Sequence, residues 1–265
     1  MPTVTSKDGT TIAYSAIGQG PAVILVDGAT GFRWSPEPSE LAQLLAPHFT
    51  VFSYDRRGRG ESSDTQPFAL EREIDDIEAL VDAAGGAASL YGISSGGALA
   101  LEATLGLAGK VTKLAIYEVP YDDSQAGIQA WHAYRSQLAE FLATGQRGEA
   151  VDLFMRFVGA PEEMVAGMRQ SPMWAIMEAV APTLAYDAAA LGPDRRVPSA
   201  RAAAVTVPTL IMDGGASFET IPFMRATAEA LTNAIPHAQH ETLPGQSHNV
   251  DAKALAPVLT AFFQS

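Results

Sequence analysis

Short apolar runs and longer amphipathic segments alternate along the chain, and this alternation predicts its secondary structure. Five mostly apolar runs are typical of buried strands, and they cover residues 22–26, 50–54, 88–93, 111–117 and 208–212. The alternation of strands and helices predicts one more strand over residues 238–243. A weakly alternating segment, residues 4–16, contains the turn signal Lys7-Asp8-Gly9-Thr10. That segment therefore predicts a β-hairpin at the start of the chain.

Apolar residues that recur every three to four positions predict helices between these strands. The apolar positions within residues 70–84 fall on one helical face and are Ile74, Ile77, Leu80 and Val81. The other predicted helices cover residues 39–45, 97–107, 221–234 and 252–263.

About ninety residues separate the fourth apolar run from the fifth, far more than a simple crossover between parallel strands needs. Glycine and proline breaks divide this interval into helix-like pieces, so we expect a helical cap over residues 119–205. Its many aromatic and methionine residues are typical of an insertion's own core. Some of them also suit an apolar substrate pocket, which we expect to include Trp131, Trp174 and Gly28.

Strands that alternate with helices favour an α/β protein, in which helices cover both faces of a mostly parallel sheet. The core of this fold is expected from residues 1–118 and 206–265. In such sheets, ligands bind beyond the carboxyl ends of the strands. Five polar residues lie at such ends or in the loops that follow, namely Asp27, Ser94, Glu118, Asp213 and His248. Their shared position predicts a functional site at this edge.

The amino-acid composition disfavours several classes of function. The 265 residues are 47% hydrophobic and 18% charged, so the chain can bury a sizeable core. A net charge of −13 argues against nucleic-acid binding and against docking on anionic membranes. The lack of cysteine excludes thiolate nucleophiles, disulfides and cysteine-ligated metals. Neither a signal-like N-terminus nor an apolar run of membrane-helix length is present, so we expect a cytoplasmic protein.

The first candidate for chemistry is the pattern Gly92-x-Ser94-x-Gly96, which lies between a predicted strand and a predicted helix. In a nucleophile elbow, a serine occupies a strained strand-to-helix turn, and small residues on either side allow the sharp bend. The N-terminal end of the next helix also directs positive potential at the site. Ser94 is therefore the predicted nucleophile. The alternative is a Gly- and Ser-rich turn without chemistry.

A serine hydroxyl needs a base to accept its proton and an acid to orient that base. Only His248 lies in a loop after the last predicted strand, at the same sheet edge and in the chain order nucleophile, acid, histidine. The four other histidines lie before or within strands or in the insertion, and are His48, His132, His237 and His240.

Two residues are candidates for the acid, because each ends a predicted strand. Asp213 precedes Gly214-Gly215, an exposed turn in which aspartate is common for its own sake, and its expected role is to brace that turn. Glu118 has apolar neighbours, where a carboxylate is costly unless it is paired. Either could reach the second ring nitrogen of His248, so the residues alone leave the choice open.

Together these patterns resemble the α/β-hydrolase superfamily over nearly the whole chain. The resemblance rests on Gly92-x-Ser94-x-Gly96, Asp55-Arg56-Arg57-Gly58-x-Gly60-x-Ser62, Val207-Pro208-Thr209-Leu210 and Gly245-x-x-His248. The sequence departs from the family pattern at Ser217, which stands where the superfamily commonly has its acid.

A subset of the superfamily keeps its acid one strand earlier. Within it, zearalenone-type lactonases are similar to this chain at Asp27-Gly28, Ser94-Ser95-Gly96 and Glu118-Val119-Pro120. This resemblance implies Glu118 as the acid, with Asp213 as the alternative. It also implies an ester or lactone substrate and includes a zearalenone-like macrolactone among the candidates.

An oxyanion hole needs two backbone N–H groups that point at the developing charge. One is expected from Ser95, the residue after the nucleophile, and the other from the loop after the first buried strand. Gly28 and Ala29 both fit the second role, and the superfamily pattern favours Ala29.

Three charged residues beside these motifs have expected structural roles. Asp27 occupies the place where relatives often carry histidine, and we expect its carboxylate to cap amides of its own loop. Arg56 and Arg57 are expected to pair with local carboxylates.

The expected reaction is hydrolysis of a small apolar carboxylic ester or lactone through an acyl-serine, and it implies no metal or organic cofactor. Epoxide and haloalkane hydrolases of this fold use an aspartate nucleophile, so Ser94 disfavours both. Hydrolysis of a C–C or thioester bond is the alternative among enzymes. A non-catalytic small-molecule binder on the same fold is the alternative outside them. The oligomeric state stays open.

Overall fold

A computed structural model of the protein describes residues 2–265 and contains eight strands. They are β1 Thr3–Thr5, β2 Thr11–Gly18, β3 Ala22–Val26, β4 Thr50–Tyr54, β5 Ala88–Ile93, β6 Val111–Tyr117, β7 Thr209–Gly214 and β8 Gln239–Leu243. They form one sheet in the order β1-β2-β4-β3-β5-β6-β7-β8. The strands from β3 to β8 are parallel, whereas β2 pairs antiparallel with both β1 and β4. Met1, part of the predicted core range, lies outside the described residues.

This sheet confirms the predicted α/β class and the predicted hairpin, and β3, β4, β5 and β6 have their predicted bounds. The last two strands differ slightly. β7 begins one residue later than predicted and continues to Gly214, so Asp213 lies inside the strand and not after it. β8 begins at Gln239 and not at residue 238.

Twelve α-helices lie among residues 2–265. They are α1 Pro36–Leu45, α2 Leu70–Ala83, α3 Ser95–Gly106, α4 Gln125–Ala143, α5 Arg147–Phe157, α6 Glu162–Arg169, α7 Pro172–Val180, α8 Leu184–Ala190, α9 Ser199–Ala202, α10 Ser217–Thr220, α11 Phe223–Ala234 and α12 Ala252–Gln264. Over this range, none is both long and apolar enough to cross a bilayer. Helices α4 to α9 lie between β6 and β7, in the range expected to form the cap, and we call residues 119–205 the insertion.

Side chains on the two faces of the sheet enter two separate apolar clusters. Val23 and Leu25 of β3 pack in a cluster with α1 and α12, whereas Ile24 and Val26 pack in a cluster with α2, α3 and α11. Successive residues of a strand point to opposite faces, so a strand covered on both sides must be apolar at every position. This requirement explains why β3 has no polar residue. The first polar residue after it, Asp27, lies beyond the end of the strand, at the edge of the sheet.

The turn from β5 into α3 depends on close backbone approaches. A Cβ on Gly96 would lie 2.2 Å from the carbonyl oxygen of Val26, and one on Gly92 would lie 2.5 Å from the carbonyl oxygen of Gly96. Real Cβ atoms do not approach backbone oxygens so closely, so the first turn of α3 packs against the end of β3 only with glycine at position 96, and against the end of β5 only with glycine at position 92.

We expect Gly96→Ala to lower the free energy of unfolding by about 1–3 kcal/mol, because β3 and α3 must separate to admit the methyl group. Urea denaturation measures the change. Gly167→Ala is the matched control, since Gly167 is also helical and, among residues 2–265, nothing lies within 4 Å of its added Cβ. That control should raise stability by up to about 1 kcal/mol through helix propensity. Equal stabilities for the two variants would contradict the packing account of the elbow.

Candidate active site

Ser94 follows β5 at its carboxyl end, and its backbone is left-handed, with φ 55° and ψ −132°. Such angles are strained for a residue with a Cβ and persist where the surrounding structure holds them. The N–H of Ser94 donates to the carbonyl of Tyr117, and the carbonyl of Ser94 accepts the N–H of Gly97. Because α3 begins at the next residue, Ser94 has the strand-to-helix position of a nucleophile elbow.

His248 and Glu118 lie together at the same edge of the sheet. Nδ1 of His248 is 2.9 Å from Oε2 of Glu118, and Oε1 of Glu118 accepts the N–H of Gly214 at 2.8 Å. The Glu118 side chain is fully buried, and the His248 side chain is 32% exposed. Two bonded oxygens provide the pairing that a buried carboxylate requires. Because Nδ1 contacts Glu118, Nε2 is the ring nitrogen left to exchange a proton with a hydroxyl.

Asp213, the alternative acid, contacts a different histidine. Its Oδ2 is 3.2 Å from Nε2 of His240 on β8, and its side chain is fully buried. The expected bracing of the Gly214-Gly215 turn by Asp213 is wrong, because Glu118 accepts the N–H of Gly214 instead. Neither histidine–carboxylate pair belongs to a metal site, since no three His, Asp or Glu side chains of residues 2–265 are grouped to hold an ion.

The loop that carries His248 crosses the end of β7 and is anchored there. The hydroxyl of Tyr117 donates to the carbonyl of Ser247 at 2.6 Å. Gly214 leaves room for the crossing, since a Cβ at that position would lie 2.4 Å from the carbonyl oxygen of Gln246. The position of His248 is therefore supported by β6 and β7 as well as by its bond to Glu118.

The loop after β3 passes directly beside the elbow, since a Cβ on Gly28 would lie 3.1 Å from Cβ of Ser94. Oδ1 of Asp27 accepts the N–H of Gly28 at 2.8 Å, the capping contact expected for this carboxylate. The next N–H along the loop, that of Ala29, stays the predicted donor to a reacting oxygen. Ser95 begins α3 and adds an N–H from the first turn, where amides precede the helical hydrogen-bond pattern.

A small cavity, part of it open to solvent, lies between the starts of α1 and α12. Asp27 and Ile93, which directly precede Gly28 and Ser94, both line it, and most of its other lining residues are apolar. Burial raises the pKa of Asp27 to about 6, although the Gly28 N–H and nearby arginines oppose the rise. The carboxyl group of Asp27 therefore lies among mostly apolar side chains, next to the predicted site.

A cluster of buried charges contacts both the elbow and the loop after β3. Asp187 of α8 accepts hydrogen bonds from Arg56 at 2.6 Å, from Arg59 at 2.7 Å and from the hydroxyl of Ser95 at 2.8 Å. Arg56 also forms a two-pronged pair with Glu73 of α2, at 2.7 and 2.8 Å. Each of the five residues is 5% exposed or less. One carboxylate of the insertion, that of Asp187, thus bonds the elbow and both arginines of the cluster.

The expected pairing of Arg56 and Arg57 with carboxylates is confirmed, but the partners are distant and not local. Arg57 is fully buried and bonds Asp76 of α2 and Asp8 of the β1–β2 turn. Arg56 reaches α2 and the insertion, as described above. The arginines therefore join the loop after β4 to segments far away in the chain.

Arg59 and Asp187 are not among the sequence-predicted site residues. One signal was available, because residues 55–62 contain three arginines but only two carboxylates, Asp55 and Glu61. Both carboxylates pair with Arg33 in the structure, so the arginines of the loop take their partners from elsewhere. Asp187 was also distinguishable, because it is the only charged residue between Glu178 and Asp194, and a carboxylate among apolar residues needs a partner.

Both predicted pocket tryptophans lie in the interior of the insertion. Trp131 is 2% exposed, stacks on Tyr134 and donates its indole N–H to the carbonyl of Gly192. Trp174 is 9% exposed, and the guanidinium of Arg169 lies 5.2 Å from its ring centroid. These contacts agree with the interpretation of the aromatic residues as the insertion's own core, and contact with substrate stays a prediction.

Comparison with known proteins agrees with this architecture. An alpha/beta hydrolase from Sphaerobacter thermophilus is 49% identical, with a TM-score of 0.87 over 99% of this chain and 100% of that one. An enol-lactonase from Burkholderia xenovorans shares the fold at 21% identity, with a TM-score of 0.70 and 100% of both chains covered. A proline iminopeptidase from Pestalotiopsis fici is 31% identical over 75 residues, which cover 28% of this chain and only 27% of that protein.

The model of the alpha/beta hydrolase family matches residues 23–258, which include every strand from β4 to β8 and the whole insertion. On this match, the chain belongs to the alpha/beta hydrolase family.

Proposed function

We propose that the protein is a serine hydrolase that cleaves a carboxylic ester or lactone through an acyl-serine intermediate. The observation that carries the proposal is the 2.9 Å contact between Nδ1 of His248 and Oε2 of buried Glu118, at the edge where Ser94 has its strained elbow conformation. Strain, burial and a histidine oriented by a carboxylate together are features of a nucleophile and its base. A turn without chemistry has no need of any of them.

In the proposed first half-reaction, Oγ of Ser94 attacks the carbonyl carbon while Nε2 of His248 accepts the hydroxyl proton. Glu118 holds the ring through Nδ1 and stabilises the imidazolium that forms. The carbonyl oxygen becomes an oxyanion and accepts the N–H groups of Ala29 and Ser95. Collapse of this intermediate expels the alkoxide, which takes the proton from His248 and leaves the acyl-serine.

In the second half-reaction, His248 removes a proton from water, and the resulting hydroxide attacks the acyl carbon. The same two N–H groups hold the second oxyanion. Its collapse returns the proton to Oγ of Ser94 and releases the carboxylic acid. A lactone gives one hydroxy acid by this route, whereas an open-chain ester gives an acid and a separate alcohol.

We infer that the substrate is small and apolar around its ester group. The mostly apolar side chains around Ile93 and Asp27, which directly precede Ser94 and Gly28, support this inference. The net charge of −13 also disfavours anionic substrates. A panel of p-nitrophenyl esters, simple lactones and macrocyclic lactones tests the substrate class. A thioester and a vinylogous diketone in the same panel test the thioester and C–C alternatives.

We expect Ser94→Ala to abolish labelling by a fluorophosphonate probe and to lower kcat by about 10⁶-fold, because the covalent step loses its nucleophile. Ser89→Ala is the matched control. Ser89 belongs to the same strand, but its hydroxyl contacts Thr112 and it lies five residues before the elbow. The control should keep wild-type labelling and turnover. A wild-type protein that neither reacts with the probe nor turns over any ester would favour a non-catalytic binder.

We expect Glu118→Gln to lower kcat by about 10⁴-fold, because a neutral amide no longer stabilises the imidazolium and can select the wrong tautomer of His248. Asp213→Asn is the control, since Asp213 is an equally buried carboxylate that bonds a different histidine, His240. It should change kcat by no more than about tenfold. Steady-state kinetics on folded variants, checked by circular dichroism, decide between the two carboxylates. A larger loss in Asp213→Asn than in Glu118→Gln would overturn the proposed acid.

A further inference from the structure

The carboxylate of Asp187 contacts one group next to each of the two predicted oxyanion-hole N–H donors. On one side, Oδ1 of Asp187 accepts the hydroxyl of Ser95 at 2.8 Å. On the other side, Oδ2 accepts Nη2 of Arg59 at 2.7 Å, and Nη1 of the same guanidinium donates to the carbonyl of Gly28 at 2.5 Å. A planar guanidinium with two fixed acceptors has little rotational freedom. Asp187 therefore fixes Arg59 and Ser95 relative to each other.

The contact between Arg59 and Gly28 bears directly on the N–H of Ala29. The carbonyl of Gly28 and the N–H of Ala29 belong to one planar trans peptide unit, so they point in opposite directions. A guanidinium that holds the carbonyl from one side consequently fixes the direction of the N–H on the other side. Its positive charge also polarises the peptide and strengthens this N–H as a donor.

The charges of the cluster balance, which explains why it is stable when buried. Arg56 and Arg59 carry two positive charges, and Glu73 and Asp187 carry two negative charges. Burial alone would raise the pKa of Asp187, but the adjacent Arg59 and Arg56 outweigh it and hold the pKa below its usual value. Asp187 is therefore ionised at neutral pH and able to accept three hydrogen bonds at once.

We propose that Asp187 is a positioning residue for the oxyanion hole, which it aligns through the Ser95 hydroxyl on one side and through Arg59 and the Gly28–Ala29 peptide on the other. The inference rests on the proposed function, because it concerns the same oxyanion. It gives the insertion a role in the chemical step: α8 must be docked on the elbow for both N–H groups to point at one place. Thr183 strengthens this docking, since its hydroxyl accepts Nε of Arg59 at 3.1 Å.

The first test is Ser95→Ala, which removes the hydroxyl and keeps both the N–H group and every buried ion pair. We expect kcat for a p-nitrophenyl ester to fall about tenfold, less than the roughly 10²–10³-fold loss of a whole oxyanion donor, because the donor stays but is less well aligned. KM should stay within about twofold, since the ground-state carbonyl makes weaker use of these donors. A trifluoromethyl ketone, whose serine adduct carries the oxyanion, should lose affinity by the same factor as kcat.

The second test is Asp187→Asn, which preserves shape and removes the charge that holds Arg59. We expect a loss in kcat of about 10²-fold, because both N–H groups lose their alignment. Asp76→Asn is the matched control, since it breaks an equally buried arginine–carboxylate pair, with Arg57, that touches neither the elbow nor Gly28. The control should show lower stability but wild-type kcat per folded molecule.

The double variant Ser95→Ala/Asp187→Asn separates positioning from general damage. If Ser95 acts only through its hydrogen bond to Asp187, the kcat of the double variant should match that of Asp187→Asn alone. If the two residues act independently, the two losses in kcat should multiply. If Asp187→Asn fails to fold, Ser95→Ala decides alone. Wild-type kcat and inhibitor affinity in Ser95→Ala would overturn the proposal.

The outcomes also distinguish the inference from the function on which it rests. A wild-type protein that reacts with the fluorophosphonate at Ser94, together with unaffected Ser95→Ala and Asp187→Asn variants, leaves the hydrolase proposal intact and refutes the role of Asp187. A wild-type protein that does not react refutes both.

Discussion

Ionised side chains buried at the carboxyl edge of the sheet connect parts of the chain that are far apart in sequence. Removing one partner of a buried ion pair costs about 3–5 kcal/mol, a large share of a total stability of about 5–15 kcal/mol. Each buried charge must therefore find its partner wherever the chain supplies one. Arg56 takes Asp187 from 131 residues away, and Glu118 takes His248 from 130 residues away. These two contacts connect the sheet to the insertion and to the last loop.

Contacts of the two residues after Ser94 explain how its strained backbone persists. A left-handed serine is unfavourable by about 1–3 kcal/mol unless its surroundings determine it. At this site the close approach of Gly96 to Val26 fixes the start of α3, and Asp187 fixes the side chain of Ser95, the next residue. Strain at Ser94 is thus compensated by packing on one side and by charge on the other. A site held in this way needs little reorganisation when charge develops, which is the condition for electrostatic stabilisation of a transition state.

The parts of the fold that follow from periodicity were predictable, and the contacts between distant charges were not. β3 to β6 have their predicted bounds because strands covered on both faces must be apolar throughout. The contact of Glu118 with His248 agrees with an argument from burial, since a carboxylate among apolar residues needs a partner. Asp187 offered the same signal, since it is the only charged residue between Glu178 and Asp194, but nothing in the sequence identified Arg56, Arg59 and Ser95 as its partners. Whether an aromatic residue such as Trp131 packs in a core or lines a pocket depends on tertiary contacts that no periodicity records.

The choice of Glu118 over Asp213 as partner of His248 has a geometric consequence at Gly214. Adjacent strands lie about 4.8 Å apart, so an acid on β6 is one strand from the elbow, whereas an acid on β7 is two strands away. The loop after β8 must therefore cross β7 to bring His248 to Glu118. It passes so close that a Cβ on Gly214 would lie 2.4 Å from a loop carbonyl, and Glu118 accepts the N–H of this same glycine. The acid and the glycine thus depend on each other, because a side chain at Gly214 would displace both the histidine loop and a hydrogen bond that holds the carboxylate.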